Sequence, residues 1–275
     1  MLGHCLFQHL RDRHEVRVTL RRSLASYGEF KLFDAGSSYP EIDVRDPDRL
    51  IEVIAEFAPV ALVNCAGIVK QRSDAKAHVP SLEINSLFPH RLASMARLGG
   101  ARLIHLSTDC VFSGSGGNYR ETDASDATDL YGRSKFLGEV TEAPCLTLRT
   151  GMLGPELGRK TGLLEWFIAQ RGKSIKGFRR AIFTGFTTME TSRIVERLLV
   201  DNPTVAGLYH VSSAPISKYD LLRKINEALG LDIQIAPDED FHCDRSLDSS
   251  QFRKAFAYVP PTWDEMVAEL AKVVH

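Results

Sequence analysis

One short run constrains this chain more than any other feature: Arg102-Leu-Ile-His-Leu106, followed at once by Ser107-Thr108-Asp109. Apolar and branched, the run reads as a strand buried on both faces, the kind used by parallel sheets. Its carboxyl end therefore delivers two hydroxyls and a carboxylate to the crevice where open α/β sheets bind ligands. Downstream, Asp129 precedes a helical pattern with Leu130, Phe136, Leu137 and Val140, on which Tyr131 and Lys135 stand four apart and share a face. A tyrosine, with its pKa near ~10, is a poor acid–base catalyst at neutral pH, but an adjacent lysine cation favours the phenolate and lowers that pKa. The pair then suits proton delivery to a carbonyl oxygen. Tyrosine and lysine at this spacing also occur on solvated faces. The preceding strand with Ser-Thr-Asp makes the pair specific.

With 275 residues, 44% of them hydrophobic, the chain is long enough for one large α/β domain or a main domain with a smaller one. Its net charge of −1, with both signs interspersed, argues against a nucleic-acid partner and against a charged membrane surface. The longest apolar run, Ala58 to Val69, is interrupted by Asn64 and is too short to span a bilayer. Five cysteines without metal-ligand spacing fit a reducing cytosol, so a cytoplasmic location without a metal is expected; Met1 to Leu10 lacks a secretory pattern. Cys65 and Cys145 lie in strand-like runs and are expected in the core, and Cys110 reads as a small pocket-wall residue.

The residues Ser107-Thr108-Asp109, Val111-Phe112, Gly114, Tyr119 with Glu121 and Asp123, Tyr131-Gly-x-Ser-Lys135 and Gly138-Glu139 together resemble the extended short-chain dehydrogenases/reductases, within them the dTDP-4-dehydrorhamnose reductase branch. The resemblance covers nearly the whole chain. It implies a doubly wound, parallel Rossmann-type sheet with a smaller C-terminal α/β region that binds substrate. Residues 1–155 would bind NAD(P) and 156–275 the substrate, with about 187–212 returning to the first domain. The chemistry would fall to Thr108, Tyr131 and Lys135, acting beside a bound nicotinamide, with a nucleotide-sugar substrate. A homodimer is compatible with this reading.

In that family, strand and glycine turn should precede Leu2, so the expectation is that a functional chain carries roughly a dozen more residues upstream and that the fold as given lacks its first strand. Gly3 stands where the last glycine of the turn would allow close helix–strand packing, with Leu2 beside it at the cofactor. Arg21 and Arg22 follow the second strand, Val16 to Leu20, about ~20 residues beyond the turn, where basic residues accommodate the 2′-phosphate of NADP. NADP(H) is therefore favoured, with NAD(H) the alternative. Asp43-Val44 resembles the adenine-contacting stretch, and Asp46 reads as the cap of a helix from Pro47 to Phe57. Pro59 to Gly67 reads as a buried strand whose small end residues, Cys65, Ala66 and Gly67, let a cofactor approach. Asn85, in a helix from Ser81 to Leu98, matches an asparagine that supports the active site and is counted among the cofactor residues.

Beyond Pro155 the sequence predicts a helix from Gly162 to Gln170, a basic loop from Lys173 to Arg180, then helix 189–200, strand 207–211, helix 218–229, strand 233–236 and two terminal helices. In the basic loop Lys176, Arg179 and Arg180 are placed to meet a diphosphate, with Arg179 the chosen contact. Asp109 and Met152 complete the substrate side; many of the reductases have an aromatic in the place of Met152. The resemblance implies NADPH-dependent reduction of a nucleotide-linked 4-keto-deoxysugar. A 4,6-dehydratase is disfavoured because Cys110 stands where that activity needs a glutamate, whereas an epimerase and a non-catalytic nucleotide-binding subunit stay open. If Arg21 and Arg22 meet a 2′-phosphate, replacing both by alanine weakens NADPH far more than NADH, at roughly 1.5–3 kcal/mol per charged contact. Titrations with the two cofactors test this, and an unchanged preference would remove both arginines from the site.

Overall fold

The computed structural model describes residues 1–69, 77–158 and 160–274. Helix α1 (Leu2–Leu10) leads into strand β1 (Val18–Thr19), and β2 (Ser38–Tyr39) lies parallel beside it. Helix α2 (Pro47–Phe57) starts as its sequence demands: the Asp46 side chain accepts from the Arg49 amide at 3.2 Å, and Pro47 takes a first-turn position that needs no amide donor. Strand β3 (Ala61–Asn64) is followed by α3 (His78–Ser81), a π-turn over Leu82–Leu87, α4 (Phe88–Leu98) and β4 (Arg102–Leu106). Helix α5 (Leu130–Leu137) is capped by Asp129, which accepts from the Gly132 amide at 3.0 Å, and β5 (Cys145–Arg149) follows. Then come β6 (Met152–Leu153), α6 (Leu163–Ile168), β7 (Ser174–Phe183), β8 (Phe186–Thr187), α7 (Thr188–Val200) and β9 (Gly207–His210). The chain closes with β10 (Ile216–Ser217), α8 (Lys218–Leu229), β11 (Gln234–Asp244), α9 (Ser250–Phe256) and α10 (Trp263–Val273).

Strands β3, β4, β5 and β9 pair in that order, all parallel, as in a Rossmann-type fold. The two middle strands are buried along their whole length. Their side chains alternate between two cores: Leu103 and Cys145 pack with α2 and α4, while Ile104, Leu106, Leu146 and Leu148 pack with α1, α7 and the C-terminal elements. Layers on both faces make the sheet doubly wound. Among the described residues no ladder joins it to the separate β1–β2 pair. As an edge strand, β3 is only half-buried over Ala61 to Val63, and the chain leaves it at Asn64, so Cys65 is exposed rather than in the core. Cys145 is buried as expected. No helix among the described residues is long and apolar enough to cross a membrane.

Two further readings need correction. The basic stretch Lys173 to Arg180 is mostly strand β7, which pairs parallel with β11 and antiparallel with β10. Gly177 and Ala181 are buried where α8 packs against this sheet, while Lys176, Arg179 and Arg180 are exposed, Arg179 over the Tyr219 ring of α8. In α5 the apolar residues do not form the buried face: Phe136 and Leu137 are exposed, and Gly132, Ser134 and Lys135 are buried. That helix is held by close backbone approach instead. A Cβ on Gly138 would lie 1.9 Å from the Asn85 carbonyl oxygen.

Two buried cations tie the sheet to its surroundings. At the amino end of β4, Arg102 donates to the carbonyls of Leu198, Asn202 and Val205, at and beyond the end of α7. At the carboxyl end of β5, Arg149 is bidentate to Glu139, both bonds 2.8 Å, with its side chain 3% exposed and that of Glu139 6%. Removing one partner of such a pair strands the other charge in low dielectric. Glu139→Ala is therefore expected to lower stability by about 3–5 kcal/mol, measured as a reduced urea midpoint. A change below about 1 kcal/mol would show that water reaches Arg149.

Candidate active site

The carboxyl ends of β3 and β4, the first turns of α5 and the start of α1 surround one pocket. Leu2 from α1, Cys65, Ala66 and Gly67 after β3, Leu106 and Ser107 from β4, Tyr131 and Lys135 from α5 and Met152 from β6 line it. Thr108 is positioned by its own turn: its Oγ1 accepts from the Cys110 amide and donates to Asp109 Oδ1, each at 3.1 Å. Asp109 is buried beneath, near the place where a Cβ on Gly151 would meet its Oδ2 at 3.1 Å. Lys135 is buried, and its Nζ donates to the Leu106 carbonyl at 2.7 Å. One helix turn and one strand end thus bring Thr108, Tyr131 and Lys135 together.

The electrostatics differ from the expected lowering of the phenol. Burial pushes Tyr131 above its ordinary value, Cys110 and the carboxylates of Asp109 and Asp129 act in the same direction, and the hydrogen bond from Thr108 opposes them. Burial also brings Lys135 down to about 8, against the pull of Glu139 and Cys65. Desolvation outweighs the lysine's effect on the tyrosine. At neutral pH the phenol holds its proton.

A second groove, lined by Asp43, Arg45, Asp46, Pro47 and Glu83, lies on the β2–α2 side. Arg45 donates to Asp43 at 2.9 and 2.6 Å and holds that carboxyl at about 2, with a smaller contribution from Arg21. Arg21 and Arg22 are exposed in the loop after β1. Val44 packs against the core of α2 and α4 rather than lying open. Sequence reading passed over Arg45, since a lone arginine two residues after an aspartate carries no motif.

Three other expected contacts are not among the residues that line the pocket. Asn85 sits in the π-turn, where its amide accepts from the Ile68 amide at 2.9 Å and donates to the Ile68 carbonyl at 2.9 Å and to Ser134 Oγ at 3.1 Å. Its polar side-chain atoms staple the turn after β3 to α5. A Cβ on Gly3 would meet only Cys65 Cβ at 3.6 Å, so packing does not demand glycine there. Arg179 lies over the Tyr219 ring at 4.9 Å and pairs with Glu239 at 3.5 Å, and Lys176 pairs with Asp238 at 2.9 Å, all on the outer sheet away from the pocket. Arg245 is closer to Thr108 in the fold: its guanidinium donates to the carbonyls of Phe112 at 2.8 Å and Ser113 at 3.1 Å. Nothing local in the sequence marks it.

With this geometry, the profile described as the RmlD substrate binding domain matches residues 1–275. The chain belongs to that family. The dTDP-4-dehydrorhamnose reductase of Escherichia coli (strain K12) is 28% identical to this RmlD-family chain over 274 residues, 90% of this chain and 91% of the relative. Methionine adenosyltransferase 2 subunit beta of Danio rerio is 33% identical over 256 residues, 80% of this chain and 77% of the relative. The fold is also that of the dTDP-4-dehydrorhamnose reductase from Bacillus anthracis solved in complex with NADP, with a TM-score of 0.76 at 20% identity, over 93% of this chain and 97% of that one.

Among the family motif residues, Gly132, like Gly138, has no room for a side chain. A Cβ on Gly132 would stand 2.1 Å from the Cys110 carbonyl oxygen and 2.6 Å from Ala127 Cβ. Gly132→Ala is expected to destabilise by roughly 1–3 kcal/mol, whereas Gly3→Ala, in an open helical position, should be neutral or stabilising. Denaturation midpoints of the two variants test the contrast, and equal effects would contradict the packing described.

Proposed function

We propose that this chain is an oxidoreductase of the short-chain dehydrogenase/reductase type that reduces a nucleotide-linked 4-keto-deoxysugar, in the formation of deoxysugars for cell-surface polysaccharide, and that it works in the cytoplasm. Tyr131 and Lys135 line one pocket and Thr108 hydrogen-bonds Tyr131, and this arrangement carries the reading. The residues present fit a nicotinamide dinucleotide: small side chains at Cys65 to Gly67 permit close approach, the Lys135 ammonium suits ribose hydroxyls, and Arg21 and Arg45 offer cations beside the second groove. The bound cofactor supplies the hydride, NADP(H) in our reading and NAD(H) as the alternative. Residues 1–155 would hold it and 156–275 the sugar nucleotide, with the segment around β9 returning to the first part. Met152 would lie against the substrate, and Asp109 would hold Thr108.

Reduction of the keto carbon would develop charge on its oxygen. Thr108 Oγ1 would turn its one proton from Asp109 to that oxygen, and Tyr131 would transfer its own proton to it. A phenol that retains its proton is suited to this direction, because an alkoxide is far more basic than a phenolate. Lys135 would hold the cofactor ribose hydroxyls and place positive charge where the phenolate forms.

A second reading is favoured by one observation, the 33% identity to a methionine adenosyltransferase subunit. There the chain would be a nucleotide-binding partner without turnover. Consumption of NADPH with dTDP-4-keto-6-deoxy sugars separates the two. For the reductase, Tyr131→Phe keeps cofactor affinity within about twofold and lowers turnover by roughly 10²–10⁴-fold, the range for a lost general acid. Turnover near wild type in that variant would take the proton from another group, and no turnover in the wild-type chain with any such substrate would favour the subunit reading.

A further inference from the structure

Beside Lys135 lies a buried polar pair that the mechanism above does not use. His105 is fully buried at the middle of the sheet, and the β3–β4 register sets Asn64 directly opposite it. The Asn64 amide can be oriented without ambiguity: its Oδ1 accepts from the Ala66 amide at 3.0 Å, so its Nδ2 is the group that faces His105 Nδ1 at 3.1 Å. Nδ1 must then accept. A neutral imidazole that accepts at Nδ1 carries its proton on Nε2, and Nε2 is 3.5 Å from Lys135 Nζ.

That Nε2–H meets an amine lone pair favourably and an ammonium unfavourably, since an ammonium has no acceptor. We propose that His105, held in one tautomer by Asn64, is a positioning residue that weakens the hold of Lys135 on its proton and so places the lysine's titration in the working pH range. The inference deepens the reductase reading above and rests on it for the role of Lys135. Other groups facing the lysine push the opposite way: Cys65 from the turn after β3, and Glu139 beyond the end of α5, which is itself engaged by Arg149 from β5 and by Ser107 Oγ. Tyr131 shares the helix, and the Leu106 carbonyl takes one ammonium proton. Burial, the largest effect, keeps His105 well below its ordinary value, and Lys135 itself and His90 from α4 also disfavour a charged imidazole. His105 is therefore neutral while Lys135 titrates.

The sign of the effect is fixed by the geometry. Asn64→Asp replaces the donor facing Nδ1 by an acceptor, turns the tautomer over and presents an Nε2 lone pair to Lys135, so the ammonium gains. His105→Phe keeps a planar aromatic ring, somewhat larger than the imidazole, and deletes the Nε2–H. In both, Lys135 should bind its proton about tenfold more tightly, one pKa unit upward, the order of one hydrogen bond to a charged group. The midpoint is read directly by NMR titration of Lys135 in lysine-labelled protein, assigned with Lys135→Met, and the alkaline limb of the kcat profile should move up with it. An unchanged Lys135 midpoint in both folded variants, verified by circular dichroism, would overturn the inference. Because the NMR midpoint needs no substrate, failure of the reductase assay would count against the proposed activity and leave the lysine's titration to be judged on its own.

Discussion

The buried Glu139–Arg149 pair is the contact on which the arrangement of the site depends. Glu139 Oε1 accepts from Ser107 Oγ at 2.6 Å as well as from Arg149, so one carboxylate links the end of β4, the end of α5 and β5. Arg149 extends the network in the other direction. Its guanidinium lies over the Phe112 ring at 5.2 Å, Phe112 stacks on Tyr119 with centroids 4.1 Å apart, and His210 on β9 accepts from Arg149 at 3.1 Å while donating to the Tyr119 carbonyl at 3.0 Å. Glu121 closes the circuit by accepting from the His210 amide. The strand that supplies Thr108 and the helix that supplies Tyr131 thus share one anchor.

That anchor also shapes the electrostatics. Burial and the Arg149 charge bring His210 down to about 4, and burial lowers His105 too, so both imidazoles act as fixed hydrogen-bond dipoles rather than as charges. The two are oriented in opposite senses. His210 gives its Nδ1 proton to a carbonyl, whereas His105 receives at Nδ1. Neither imidazole changes charge with modest shifts of pH, whereas buried Lys135, brought down to about 8, can respond.

Much of this was legible in the sequence because it is local. The caps at Asp46 and Asp129, the strand ending in Ser107-Thr108-Asp109 and the one-turn spacing of Tyr131 and Lys135 depend on neighbours within a few residues, and the structure has each of them. Asn64 with His105, Arg149 with Glu139, and Arg245 with the Phe112 carbonyl could not be read in that way. Those contacts exist only once strands are in register or distant loops have met. The misread basic loop has a related cause: β7 carries charges at 176, 179 and 180 and pairs with a β11 that is bulged between Asp238 and His242, so simple alternation is lost. Phe136 and Leu137 misled in the opposite sense, since α5 is buried through its glycine and its polar residues.

At the other end of the sheet, Arg102 grips three main-chain carbonyls and no side chain. Recognition of this kind is blind to what residues 198–205 are and sensitive only to the path they take. Sequence can drift freely through the end of α7 and the turn beyond it, provided the backbone keeps its course. Arg102 has no such latitude. A lysine would bring a single ammonium to a place where a planar fork spans three oxygens, so variation on the two sides of this contact is unequal.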